Sequence, residues 1–276
     1  MKLRHAALLV EIGGRRVLVD PWLSRGPGGG LLVSTGESPI GPEALGSIDL
    51  LLLTSSTPDR LDVATLRALP DKGARCLVPD EHAASLCRRA GFGRVRVVGA
   101  DESWRILGLD VTTFGCRAAG LVPASIGFHV EHGRRSALIA GALVPLVVDD
   151  GVGRFARENP AEVVFLPRPQ RAMAPGDLAA SDDDLVLIAR LARARALVPI
   201  ADAVGPGPLA APLLDAVIDH RPANLVVPTE APRVSILDGD RSGDRARMPR
   251  ALHVENGVWY RLAADAASTR TTTERR

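Results

Sequence analysis

Aromatic side chains are scarce. Three Trp, one Tyr and five Phe make up 3% of 276 residues, so any core must be built from Leu, Val, Ile and Ala. Lysine is nearly missing as well, with only Lys2 and Lys72 among 34 basic residues. The remainder is arginine, which favours bidentate anion contacts. The net charge of +2 excludes the strong basic field that nucleic acid or an anionic membrane would require. Three cysteines, Cys76, Cys87 and Cys116, cannot all pair and none forms a C-x-x-C motif. Reduced thiols in a cytoplasmic protein are the expectation. Long hydrophobic runs are also lacking. The stretch SALIAGALVPLVV, 136 to 148, falls well short of the roughly 18 residues a membrane span needs. The apolar residues before Glu11 are too few for a signal peptide.

What remains is ordinary globular composition, 46% hydrophobic and 24% charged. It suits a single domain over residues 1–264, followed by a polar tail at 265–276 expected to be disordered. AALLVEIGGRRVLVDPW predicts two strands around Gly13-Gly14. The Gly/Pro/Ser-rich stretch 24–46 predicts a long loop that shapes access to a pocket. IDLLLLT, 48 to 54, is a continuous apolar run and predicts a strand covered on both faces. A short helix should follow it, capped by Asp62.

RCLVP predicts a further strand, and DEHAASLCRRAG a helix from Asp80 to Gly91. Strands are expected over 94–99, 103–108, 109–115 and 162–167, with two more joined around Gly133. SDDDLVLIARLARAR predicts a helix that Ser181 and Asp184 open at capping-box-like spacing. ALVPI, PLLDAVIDH and NLVVP continue the alternation, and Asn256-Gly257 marks a terminal hairpin. Strand-rich blocks followed by strand–helix alternation fit an α/β protein of two mixed β-sheets flanked by helices, an αββα sandwich.

Four stretches carry a resemblance: HAALLVEIGGRRVLVDPWLS, SIDLLLLTSSTPDRLDVATLRAL, GFHVEHGRRSALIAGAL and RARALVPIADAVG. In order and spacing they resemble the metallo-β-lactamase superfamily, specifically its ascorbate-6-phosphate lactonase-like branch. The resemblance implies a metal loop of the form His-x-His-x-Asp-His, whose positions here hold Ser55, Thr57, Asp59 and Arg60. It implies a further His near Cys116–Gly120, a bridging aspartate at Ala142 and a last His at Ala201, and none of these is present. One carboxylate does not hold Zn²⁺ against water, and Arg60 brings positive charge to the place of a cation. The expectation is a metallohydrolase fold with no metal and no cofactor.

The candidate catalytic residues are Asp59, Ser55, Thr57 and His5. The competing readings are that Asp59 caps local backbone or pairs with Arg60, and that His5 makes a structural hydrogen bond. Arg60, Asp59, Cys116, Arg168 and Asp202 are candidate ligand-binding residues, although a lone cysteine is more often a small buried hydrophobe. Asp20, before Pro21, reads as turn chemistry. His129 and His132 should point to opposite faces of their strand and so are not a ligand pair.

Three functions stay open. One is a non-catalytic pseudoenzyme that binds a small-molecule ligand, or a partner protein such as a second copy or an active homologue. Another is a metal-independent enzyme in specialised metabolism, which needs burial to shift Asp59 upward. The third is a hydrolase in which Asp59, Asp202, Cys116 or His5 converge on a metal.

Overall fold

The structure, a computed structural model, describes residues 1–24, 32–34, 38, 40–116, 125–141, 151–167, 182–201, 204–206, 250–251 and 256–257. The tail at 265–276 and the segments PLLDAVIDH and NLVVP lie outside the described residues.

The chain opens with β1 (Lys2–Arg4), β2 (Ala7–Ile12) and β3 (Arg15–Val19), joined as antiparallel neighbours. Gly13 and Gly14 make the β2–β3 turn at φ of 57° and 70°. A Cβ on Gly13 would stand 2.5 Å from the His132 ring, so that turn needs glycine for both conformation and close approach. A short strand, β4 (Leu32–Ser34), lies in the predicted long loop. Next come β5 (Leu50–Leu52), α1 (Val63–Ala68), β6 (Arg75–Val78), α2 (Glu81–Arg89) and β7 (Arg94–Val97). The strands β3, β5, β6 and β7 run parallel, and the first sheet has the order β1-β2-β3-β5-β6-β7.

The second sheet begins with β8 (Ser103–Ile106), β9 (Leu109–Cys116), β10 (Ser125–His132) and β11 (Arg135–Ile139), all antiparallel. Then α3 (Val152–Glu158), β12 (Val163–Pro167), α4 (Asp182–Leu191) and β13 (Ala196–Ile200) alternate. Two short strands, β14 (Val204–Pro206) and β15 (Arg250–Ala251), complete the described strands. The order is β15-β13-β12-β11-β10-β9-β8, and β14 pairs with β4.

The apolar run of β5 explains the layering. Leu50 and Leu52 join Val17, Val19, Val111, Phe128 and Ile139 between the sheets, whereas Leu51 and Leu53 join Leu66, Ala83 and Cys87 beneath α1 and α2. A third cluster, with Phe114, Leu138, Leu166 and Ile188, sits under α3 and α4. Sheet faces sheet, and each outer face carries helices, as the period-2 side-chain alternation demands. Each fully buried leucine contributes about 1.5–3 kcal/mol.

The predicted caps of α1 and α2 are present. Asp62 accepts from the N–H groups of Ala64 and Thr65 at 3.2 Å each, and Asp80 accepts from Ala83 N–H at 2.8 Å. Ser181 lies outside the described residues, so the start of α4 has no described cap. Helix α3 has no counterpart in the sequence reading. It is short and starts after Gly151 at φ 56°, with no side-chain cap to announce it. His129 and His132 diverge as expected. His129 Nε2 meets Pro160 O at 3.1 Å on the α3 side, whereas His132 packs over Gly13 of the first sheet. Among the described residues no helix is long and apolar enough to cross a membrane.

Candidate functional site

The parallel strands of both sheets deliver their carboxyl ends to one mouth. Thr54 follows β5 and meets the second sheet directly: Ile126 N–H donates to its carbonyl at 2.9 Å. A Cβ on Gly141 would lie 2.5 Å from Ile126 O and 2.7 Å from Thr54 Cβ, so the end of β11 must be glycine here. On the other side, Ala201 N–H, just past β13, donates to His5 O at 3.0 Å. Three non-glycine residues of this rim, His5, Asp20 and Ala201, hold positive φ of 47°, 44° and 62°. Clustered backbone strain of this kind is held by surrounding contacts and concentrates at functional positions.

Inside the mouth runs a chain of charge. Asp20 is fully buried at the end of β3. Its Oδ1 accepts from Thr54 N–H at 2.8 Å, and its Oδ2 accepts from Thr54 Oγ1 at 2.6 Å. Arg60 Nη1 donates to the same Oδ2 at 3.2 Å, and Arg60 Nε donates to Asp59 Oδ2 at 3.3 Å. His5 Nε2 faces that same Asp59 oxygen at 3.5 Å, and its ring stands edge-on to Trp22. Arg60 is thus the cation between two carboxylates, of which only Asp59 reaches solvent, at 25% exposure.

Burial pulls against pairing in each group. Burial would raise the Asp59 carboxyl, but the His5 hydrogen bond, the Arg60 charge and Thr57 outweigh it and hold it well below the usual carboxylate range. Burial would lower Arg60, yet the charges of Asp59 and Asp20 push it up. For Asp20 burial wins over Arg60 and Thr54 and raises its pKa.

The β5–α1 loop is folded on itself. Thr57 N–H donates to Ser55 Oγ at 3.2 Å, and Thr57 O accepts from Arg60 and Leu61 N–H at 2.9 Å each. Ser55 is therefore a buried turn acceptor, and the His5 ring addresses Asp59. The first turn of α1 anchors the strand exit opposite: Thr65 Oγ1 accepts from Leu23 N–H at 2.9 Å.

The structure brings His5, Asp59 and Arg60 together and sets Ser55 and Thr57 in the adjoining loop. Cys116 is elsewhere, buried with Phe114 and Leu138 in the cluster beneath α3 and α4. Arg168 and Asp202 lie outside the described residues, as does Ala142. Among the described residues no three His, Cys, Asp or Glu side chains are grouped to hold a metal ion. Two participants escaped the sequence reading. Asp20 is an ion-pair partner where turn chemistry was expected, and Thr54 is its hydrogen-bond donor. The Asp-Pro-Trp of the opening hairpin was the available signal. The upward shift of Asp59 that acid–base chemistry would need is replaced by a downward one, because Arg60 and His5 both favour its charged form.

The sandwich fold agrees with the comparisons with known proteins. The beta-lactamase superfamily domain model matches residues 15–200, more than half of the chain. The chain belongs to that superfamily, with the metallo-β-lactamase fold. A UPF0173 metal-dependent hydrolase of Aeropyrum pernix is 35% identical over 109 residues, which is 36% of this chain and 41% of the relative. The match therefore spans less than half of that relative's length. The isothiocyanate hydrolase from Delia radicum gut bacteria superposes with a TM-score of 0.58 at 22% identity, covering 79% of this chain and 90% of that one. Igni18, a metallo hydrolase of Ignicoccus hospitalis, gives 0.55 at 18% identity, covering 73% and 81%. At these identities the two structures speak to fold alone.

Proposed function

We propose that this chain is a metal-independent member of the superfamily, closest in pattern to the ascorbate-6-phosphate lactonase-like branch, whose mouth binds a small molecule or a partner protein without hydrolysing it. The observation that carries this reading is Arg60. Its guanidinium lies 3.2 Å from Asp20 and 3.3 Å from Asp59, so the protein supplies its own cation at the loop where the family pattern places metal ligands. A divalent ion needs several imidazole or carboxylate donors. Of the loop positions only Asp59 offers one, and its Oδ2 already serves Arg60 and His5. These residues do not fit the group.

Nor does the site favour metal-free acid–base chemistry. A carboxyl held well below its usual range stays ionised near neutral pH, making Asp59 a poor general acid and a weak base. The competing reading comes from the relatives named as metal-dependent hydrolases. Metal analysis separates the two. Untagged protein, equilibrated with Zn²⁺ or Mn²⁺ and desalted, should retain far less than one equivalent. A stoichiometric ion retained through desalting would overturn the proposal.

A further inference from the structure

The opposite end of the first sheet holds a second polar site. A cavity of about 190 Å³ is lined by Ser47, Asp49, Asp71, Gly73, Arg75 and Arg94, together with Ile48 and Leu107. Arg75 and Arg94 begin β6 and β7 and are register partners on adjacent parallel strands, so two guanidinium groups leave the sheet side by side. Like charges on paired strands repel. Yet neither arginine makes an ion pair or side-chain hydrogen bond among the described residues, although two carboxylates share the cavity. Each carboxylate has a partner other than these two arginines. Asp49 accepts from Arg15 Nη1 at 3.1 Å and from Arg16 N–H at 2.9 Å, and Asp71 accepts from Gly73 N–H at 2.7 Å.

Arginines on an edge strand commonly block edge-to-edge aggregation, and that accounts for Arg94 on β7. It does not account for Arg75, because β6 lies inside the sheet between β5 and β7. A pair of forks with nothing to grip, at the wall of a cavity, is the geometry for a tetrahedral oxyanion bound bidentately. We propose that Arg75 and Arg94 form a binding site for a phosphate group, either inorganic phosphate or the phosphate of a small monoester. Ser47 adds a hydroxyl at the rim. The site is independent of the mouth and of any conclusion about metal.

The test is calorimetric titration of the full chain, in low-salt buffer free of phosphate, with inorganic phosphate and separately with phenyl phosphate. One saturable equivalent is expected. Arg75→Gln and Arg94→Gln should each weaken it by roughly 10-fold or more, and the double variant should abolish it. Tighter binding of phenyl phosphate would assign the site to a monoester, and equal binding to the free ion. Both side chains are exposed, so circular dichroism and the thermal midpoint without phosphate should match wild type in all three variants. Failure of wild type to bind either probe saturably would overturn the proposal, as would equal affinity in the double variant.

Discussion

Arg60 and Asp20 are joined at 3.2 Å although 40 residues separate them, with their side chains 7% and 0% exposed. The pair ties the β5–α1 loop to the end of β3, and it does so where water cannot screen it. Asp20 also takes both donors of Thr54, so one buried carboxylate organises three segments of the mouth.

Breaking this pair from one side should therefore be expensive. Arg60→Met leaves Asp20 buried without its cation and should destabilise the protein by about 3–5 kcal/mol. Asp20→Asn combined with Arg60→Met should lose clearly less than the two single losses added together, because position 20 then carries no buried charge to be left unpaired. Urea unfolding of the four proteins at neutral pH gives the coupling directly. Additive losses would show that the pair is incidental.

The two aspartates should give opposite pH signatures. Asp59 is shifted below the ordinary carboxylate value of 3.8, so its contribution is present above that value and fades as pH falls toward its folded-state pKa. Asp20 is shifted above 3.8, so its contribution is full below that value and is lost as pH rises through its folded-state pKa. The stability difference between wild type and Asp59→Asn should shrink on acidification below about pH 4. The difference for Asp20→Asn should move in favour of wild type higher up the scale, as pH falls from the folded-state pKa of Asp20 to 3.8, and stay level below that value. Unfolding midpoints measured from acid to neutral pH would reveal the crossing, and parallel profiles would contradict the assignment.

Gly141 is the contact at which the second sheet meets the loop. A methyl there would press on the Ile126 carbonyl and on branched Thr54, neither of which is a flexible side-chain end. Gly141→Ala should destabilise by about 1–3 kcal/mol as overpacking. Since Thr54 holds Asp20, the same change should weaken the coupling between Asp20 and Arg60 in a double-mutant cycle. An unchanged coupling would mean the two sheets do not communicate through Thr54.

Period and punctuation made most of the scaffold legible in the sequence. The alternating run around Gly13-Gly14, the doubly covered IDLLLLT and the caps Asp62 and Asp80 are local signals, and each predicted element stands where those residues put it. Helix α3 was not legible, because its seven residues, about two turns, have neither a capping side chain nor a long apolar period. The pairing of Asp59 with Arg60 was among the sequence-based readings of the site. The role of Asp20 was not, because a 40-residue separation leaves no trace in spacing. Similarly, Cys116 lay near the expected mouth along the chain, but its side chain belongs to the cluster under the outer helices. Alternation along β9 sets this, since Leu109 and Val111 face the other sheet and Phe114 and Cys116 face the outer helices.

If the β5–α1 loop is a metal mounting that has lost its ligands, returning them should restore a site. The triple variant S55H/T57H/R60H, with Asp59 retained, rebuilds the His-x-His-x-Asp-His pattern on the existing turn. It also removes the internal cation, so without metal it should unfold more easily than wild type, as Asp20 and Asp59 lose their shared guanidinium. Zn²⁺ should then raise its thermal midpoint in proportion to the logarithm of free metal, as expected when an ion binds only the folded state. EDTA should reverse the gain, and wild type should respond to neither. A triple variant that folds but retains no Zn²⁺ would show that the loop has moved away from a metal-holding geometry, leaving Arg60 as an addition to an altered backbone instead of a substitute within a preserved one.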